Sequence, residues 1–270
     1  MGIILSELYR SARPGVSTWD VDKEAEAKII ASGGTPAFKG YTTRVSDTPF
    51  PSTICASVNT DLVHAIARKE VKLKKGDIFS IDIGMEWPFK KETKNKEKGK
   101  KLTGHPGASR GYFTDTAVTF ALGEVPAPVK KLLAVTKQAL EEGIKAAKPG
   151  NSVAAIGKAV ESYVRSQGNY GIVRDLVGHG VGHAVHEDPH IPNYYDPALE
   201  KIILKPGMVI AIEPMISLSN EYRVQTKPDG WTIEMVDQSL CAHFEHTLII
   251  TSRGNTVVTR RPGEDKEVFW

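Results

Sequence analysis

Leu73-Lys74-Lys75-Gly76-Asp77-Ile78-Phe79-Ser80-Ile81-Asp82 returns 131 residues later as Leu204-Lys205-Pro206-Gly207-Met208-Val209-Ile210-Ala211-Ile212-Glu213. In both copies a glycine-containing turn leads into a run rich in β-branched residues, and both runs end on a carboxylate. Ala12-Arg13-Pro14-Gly15 before Ser17 matches Ala147-Lys148-Pro149-Gly150 before Ser152 at a spacing of 135, and each opens a helix-like segment capped by Ser or Thr. Asp115-Thr116 before Ala117-Val118-Thr119 answers Glu245-His246 before Thr247-Leu248-Ile249, 130 positions on. Three near-equal spacings indicate two related halves.

Spaced apolar residues that end at or near Gly or Pro-Gly predict helices near 18–32, 127–147 and 152–167. Strand-like runs lie near 53–66, 78–87, 112–121, 208–218, 231–236 and 242–251. Helices and strands mix without strict βαβ alternation, so the expected class is α+β, two similar halves packed about a pseudo-twofold axis.

The repeat sets a carboxylate at matching places twice, Asp82 with Glu213 and Asp115 with Glu245. Phe79, Ile81 and Ile83 alternate with Ser80, Asp82 and Gly84, so Asp82 projects from the face opposite the apolar side chains. An acid inside Ile-Asp-Ile or Ala-Ile-Glu-Pro is not buried without compensation, and no Lys or Arg lies in these four short segments. Two divalent cations are the simplest neutralisation of four such charges. A single acid of this kind would read as a strand-end residue bonded to backbone amides; the symmetric set reads as a metal site.

The run Gly178-His179-Gly180-Val181-Gly182-His183-Ala184-Val185-His186-Glu187-Asp188-Pro189 is dense in imidazole and glycine, and His64 follows Asn59-Thr60-Asp61-Leu62-Val63. Alone, His64 would read as a half-buried structural histidine; its functional reading rests on its company. Mainly oxygen ligands with one imidazole suit Mn²⁺, Fe²⁺ or Co²⁺, with Zn²⁺ also allowed, in a two-metal hydrolytic centre.

Composition agrees with a globular catalyst. The chain has 270 residues, 40% hydrophobic and 25% charged, and shows neither a secretory signal pattern nor a run approaching bilayer length, so a cytoplasmic location is expected by default. Cys55 and Cys241 are too few for a disulfide framework or a cysteine zinc finger. The net charge of +3 conceals an uneven distribution, because residues 90–101 (KKETKNKEKGKK) hold seven Lys and two Glu, which leaves the remainder weakly acidic. That run reads as a solvated loop, with ribosomal RNA contact through Lys90 to Lys101 as the sharper alternative.

Gly178-His179-Gly180-Val181-Gly182, Ile212-Glu213-Pro214-Met215, Asp229-Gly230-Trp231-Thr232 and Phe244-Glu245-His246-Thr247 together resemble the methionine aminopeptidase family, across nearly the whole chain. The resemblance implies the pita-bread fold, a curved antiparallel sheet with flanking helices, as one catalytic domain over 1–270. Its halves would be approximately 1–125 and 126–270, with a lysine-rich insertion at 88–110. It implies metal ligation by Asp82, Asp115, His179, Glu213 and Glu245, with Asp115 and Glu245 bridging two divalent ions and a metal-bridging hydroxide as nucleophile. Glu213 would shuttle the proton, His186 would stabilise the oxyanion, and His64 would contact the nitrogen side of the scissile amide. Tyr41, Phe50, Cys55 and Trp231 would line a methionine pocket.

The short spacing from His186 to Glu213 and the scarcity of cysteine fit the family's type I branch. The implied activity is removal of the initiator methionine from nascent polypeptide N-termini by a monomer. The 33 residues between Asp82 and Asp115 exceed the family's usual hairpin, and Phe38 and Val185 stand near the pocket where relatives often carry other side chains. An Xaa-Pro aminopeptidase or prolidase shares the fold and ligands, but its usual large N-terminal domain has no room before position 82. A non-enzymatic pita-bread binding protein would generally have lost ligands that this sequence retains.

Overall fold

A computed structural model describes residues 1–42, 48–88 and 111–269. The elements run α1 (Gly2–Ser11), α2 (Thr18–Ala31), β1 (Thr35–Pro36), β2 (Ile54–Val58), β3 (Asp61–Val63), β4 (Ile78–Trp87), β5 (Tyr112–Ala121), α3 (Ala127–Ala146) and α4 (Val153–Gln167). They continue through β6 (Gly171–Ile172), β7 (Gly178–Gly180), β8 (Glu187–Ile191), β9 (Val209–Ile212), β10 (Met215–Ser217), β11 (Val224–Thr226), β12 (Ile233–Met235), β13 (Cys241–His243), β14 (Glu245–Ile250) and β15 (Asn255–Val257). One antiparallel, curled sheet is ordered β1-β4-β5-β14-β9-β7-β8, with β2 also on β4 and β15 also on β14. Two three-stranded sheets, β13-β10-β6 and β11-β12-β3, flank it.

The apolar half of each strand decides where the helices lie. Phe79, Ile81 and Ile83 of β4, Val118 and Phe120 of β5, and Ile210 and Ile212 of β9 join Leu5, Leu8, Ile29, Leu132 and Val160 of the helices in the main core. The opposite face of β4 and β5, carrying Ser80, Asp82, Asp115 and Ala117, is therefore left for the site. β4 and β5 pair without interruption from Ile78↔Ala121 to Trp87↔Tyr112. Residues 89–110, and with them the Lys90 to Lys101 run, lie outside the described residues.

The repeat read in the sequence is repeated in the backbone. Gly15 N–H donates to Leu73 O and Gly150 N–H to Leu204 O; Thr18 N–H donates to Val71 O and Val153 N–H to Ile202 O. Gly76 N–H donates to Leu122 O and Gly207 N–H to Ile250 O, both at 2.8 Å. Gly76 and Gly207 have φ of 93° and 94°, a conformation that L side chains rarely adopt, which explains why the turn keeps glycine in both halves. Isolated bridges Ser17↔Lys72 and Ser152↔Ile203 complete the match.

The halves meet at β5 and β14, and there threonine hydroxyls replace part of the ladder. Thr116 Oγ1 donates to Glu245 O (2.8 Å), and Thr247 Oγ1 donates to Asp115 O (2.7 Å) while accepting from Asp115 N (2.9 Å). Thr119 Oγ1 similarly bridges the amide and carbonyl of His243, at 2.8 Å each.

Several elements differ from the sequence expectation. Helix α1 has no side-chain cap, so nothing in the sequence announces its start; it is held instead by burial of Ile4, Leu5 and Leu8. The run 208–218 is broken at Glu213-Pro214 into β9 and β10, which belong to different sheets, because proline lacks the ladder donor. The run 242–251 breaks at Phe244, whose amide donates to Pro214 O, and 53–66 divides into β2 and β3. The glycine-rich histidine stretch, to which the sequence reading assigns no element, is a hairpin of β7 and β8.

The duplicated caps give a quantitative check. Ser17 and Asp20 form a reciprocal capping box on α2, and Ser152 accepts from Ala155 N on α4. Ser17→Ala and Ser152→Ala are each expected to lower unfolding free energy by about 1 kcal/mol. Being in separate halves, the two effects should add in the double variant in urea titrations. A double variant as stable as wild type would contradict these cap roles.

Candidate metal centre

Strand register assembles the site in two rows. Across β2, β4, β5 and β14 run Cys55, Asp82, Ala117 and Glu245, each directly opposite the next. In the adjoining row Gly84 faces Asp115, whose backbone is tied to Thr247; Thr247 faces Ala211, and Ala211 faces His179. Small residues thus stand between the ligating types. A larger side chain at Ala117 would enter the space between Asp82 and Glu245. Glu213 joins them from just beyond β9, its backbone carbonyl accepting from Asn193 Nδ2 at 3.0 Å.

All five expected ligands are buried, Glu245 to 1% exposure and Asp82 and Glu213 to 9%. Asp115, His179 and Glu245 offer ligand atoms that all lie within 4.8 Å of one another. Asp82 Oδ1, Asp115 Oδ1 and Glu245 Oε1 are buried without a hydrogen-bond partner. Three idle carboxylate oxygens in one buried place cost more than a fold ordinarily retains, and a hard cation is the partner that such a donor set fits. His179 Nδ1 lies 2.9 Å from Gly180 O; donation there leaves the Nε2 lone pair free, 3.5 Å from Glu213 Oε1.

The electrostatics agree. Burial first, and then the charge of Glu213, pushes Asp82 up to about 7. Burial and mutual repulsion raise Asp115, Glu213 and Glu245 well above the usual carboxylate range. Burial lowers His179 to about 3 and His64 to about 4, keeping both neutral near pH 7. The Cys55 thiol, buried beside Asp82, is pushed well up and stays protonated.

The other expected residues surround this centre. Phe50, Cys55 and Trp231 form one apolar cluster with Ala37, Phe38 and Val185, and half-buried Tyr41 packs against it. Phe38 lies over Gly84, where an added Cβ would come within 2.7 Å of its ring. Trp231 stacks edge-on with Phe50 at 5.2 Å, and its indole donates to Thr48 O. The Asp229-Gly230-Trp231-Thr232 turn is folded by Asp229, which accepts from the amides of Trp231 and Thr232 and from the Thr232 hydroxyl.

His186 is exposed, with Nδ1 2.9 Å from the Tyr41 hydroxyl and its ring 4.5 Å from that of His179. His64 directly follows β3 at φ 56°, a strained conformation for a non-glycine residue. His243 and Asn193 were not anticipated. His243 Nε2 lies 3.4 Å from Glu213 Oε2. Its parity with Glu245 in Cys241-Ala242-His243-Phe244-Glu245 was the available signal. A second group, Glu141, His246 and Glu264, is already neutralised: Arg260 pairs with Glu141 (2.7 Å) and Arg261 with Glu264 (2.8 Å).

The sequence pattern of Metallopeptidase family M24 matches residues 2–89 and 97–252. The chain belongs to this family. It is 42% identical over 254 residues to "Methionine aminopeptidase 1" of Bacillus subtilis, covering 94% of this chain and 90% of that protein. Among solved structures of the family, the methionine aminopeptidase of Thermotoga maritima is similar with a TM-score of 0.81 and 36% identity, covering 96% and 91% of the two chains. The prolidase of Pyrococcus horikoshii shares the M24 fold at a TM-score of 0.67 and 19% identity, and this chain spans 58% of it.

The raised carboxyl pKa values carry a sign. Above the unfolded carboxylate range near 4, the four raised carboxyls keep protons that the unfolded chain has released, so their contribution to stability falls as pH rises; the buried histidines, lowered by burial, act in the opposite sense only below the unfolded histidine range near 6.5. Metal displaces those protons. The metal-free protein should melt at a lower temperature at pH 8 than at pH 7, where unfolded histidines are already mostly neutral, and saturating Mn²⁺ should raise Tm more at pH 8. Equal metal-induced shifts at the two pH values would be inconsistent with this site.

Proposed function

We propose that this M24 chain is a methionine aminopeptidase, acting as one catalytic domain over 1–270 to remove the initiator methionine from new polypeptides. The observation that carries the reading is a set of four buried acids and His179, with idle oxygens, beside an apolar and aromatic cluster that includes Phe50, Cys55 and Trp231. Relatives of that name cover nearly the whole chain.

Asp82, Asp115, His179, Glu213 and Glu245 would hold two divalent ions drawn from Mn, Fe, Co or Zn, with Asp115 and Glu245 supplied by the two central strands. Such ions supply Lewis acidity and a water activated for attack on the scissile carbonyl. Glu213, free of the strand ladder, moves the proton towards the leaving amine. With the Tyr41 hydroxyl donating to Nδ1, neutral His186 carries its proton on Nε2, as a donor to the developing oxyanion. His64 contacts the nitrogen side of the scissile amide. Phe50, Cys55, Trp231 and Tyr41 bind the methionine side chain, whose thioether suits aromatic edges. No helix among the described residues is long and apolar enough to cross a membrane.

Chelated protein should not cleave Met-Ala-Ser, and readdition of single metals should restore cleavage, with Met-Lys-Ser as the comparison for the second residue. Faster turnover of Xaa-Pro peptides would replace this reading with the prolidase-type one. Asp115→Asn should reduce kcat by about 100-fold or more in metal-replete buffer, because it removes a shared charge. Trp231→Ala should raise KM for methionyl peptides by about tenfold, the equivalent of about 1.4 kcal/mol of lost apolar contact. An unchanged KM would remove Trp231 from the pocket.

A further inference from the structure

His243 closes β13 directly behind Glu213. The residue is 2% exposed, and neither ring nitrogen has a hydrogen-bond partner. Its backbone amide and carbonyl are both bonded to Thr119 Oγ1, which fixes the point from which the ring projects. Nε2 stands 3.4 Å from Glu213 Oε2, a few tenths of an ångström beyond a formed hydrogen bond and within reach of a small side-chain rotation.

Glu213 needs an anchor. It lies past the last paired residue of β9 and before Pro214, so the ladder does not orient its side chain; Asn193 holds only its backbone carbonyl. His179 Nε2 faces the other carboxylate oxygen but is aromatic nitrogen with a free lone pair, its proton being committed to Gly180 O. Among the described residues His243 is therefore the donor available to the Glu213 carboxylate.

We propose that His243 is a positioning residue that donates Nε2–H to Glu213 Oε2, leaving Oε1 turned towards the metal site. The proposal rests on the ligand reading given above and goes beyond it, since it assigns orientation of the carboxylate to a residue outside the set of four acids and one imidazole.

His243→Gln keeps a donor of similar reach, His243→Leu removes it at similar volume, and His243→Asn keeps a donor that is too short. Metal-free wild type and variants would be titrated with Mn²⁺ and Co²⁺ by calorimetry, and kcat and KM measured on Met-Ala-Ser. Far-ultraviolet circular dichroism and melting would check folding. Loss of the donor should weaken metal binding or lower kcat by about 10- to 100-fold, with KM within about twofold. His243→Gln should recover to within about threefold of wild type, and His243→Asn should behave as the leucine variant.

Folded His243→Leu protein with unchanged kcat and metal affinity would overturn the proposal. So would glutamine and leucine variants that fall equally, because that pattern marks packing alone. If leucine does not fold, the contrast between glutamine and asparagine decides by the same criteria. If wild type cleaves no methionyl peptide with any metal, the proposed function fails, and the metal affinities still decide the role of His243.

Discussion

Four carboxylates buried within one small space repel each other, and the described residues bring no Lys or Arg to neutralise them. That constraint organises the rest. Each acid leaves water because an apolar core holds its strand from behind, and the core in turn depends on helices pressed against the strand faces that carry no acids. Protons can relieve the repulsion at low pH and divalent cations near neutrality, so the same groups couple stability, pH and metal.

The sheet meets the geometric part of the problem by spacing. Ala117 stands between Asp82 and Glu245, Ala211 between Thr247 and His179, and Gly84 opposite Asp115. The acids and His179 reach further from the sheet than these small residues, and their separation follows from strand register rather than from loop conformation. Glu213 is the exception, placed at a junction between two sheets and held by Asn193 through its backbone. An acid expected to move a proton is thus the one least bound by the ladder.

Much of this was legible in the chain because it was written twice. β4 and β5 have the bounds their alternation predicts, and the helices after the two Pro-Gly turns begin where Ser17 and Ser152 cap them. The paired acids were legible for the same reason. The uncapped α1 was not, because only tertiary burial holds it. The breaks at Glu213-Pro214 and Phe244 were hidden by continuous apolar character, although Pro214 carried a warning. His243 offered only its parity with Glu245 and Asn193 offered no signal; what they do for Glu213 follows from the break after β9, which the folded chain reveals.

The threonine bridges between β5 and β14 bear on how the molecule holds together. Hydroxyl groups carry hydrogen bonds across the line between the halves beside the short ladder Glu245↔Ala117 and His246↔Thr116, so side chains as well as backbone join the halves directly beneath the acids. Two acids stand on either side of that line. Whatever draws them together acts as a clasp across it, making catalysis and cohesion of the two halves the work of one small set of atoms.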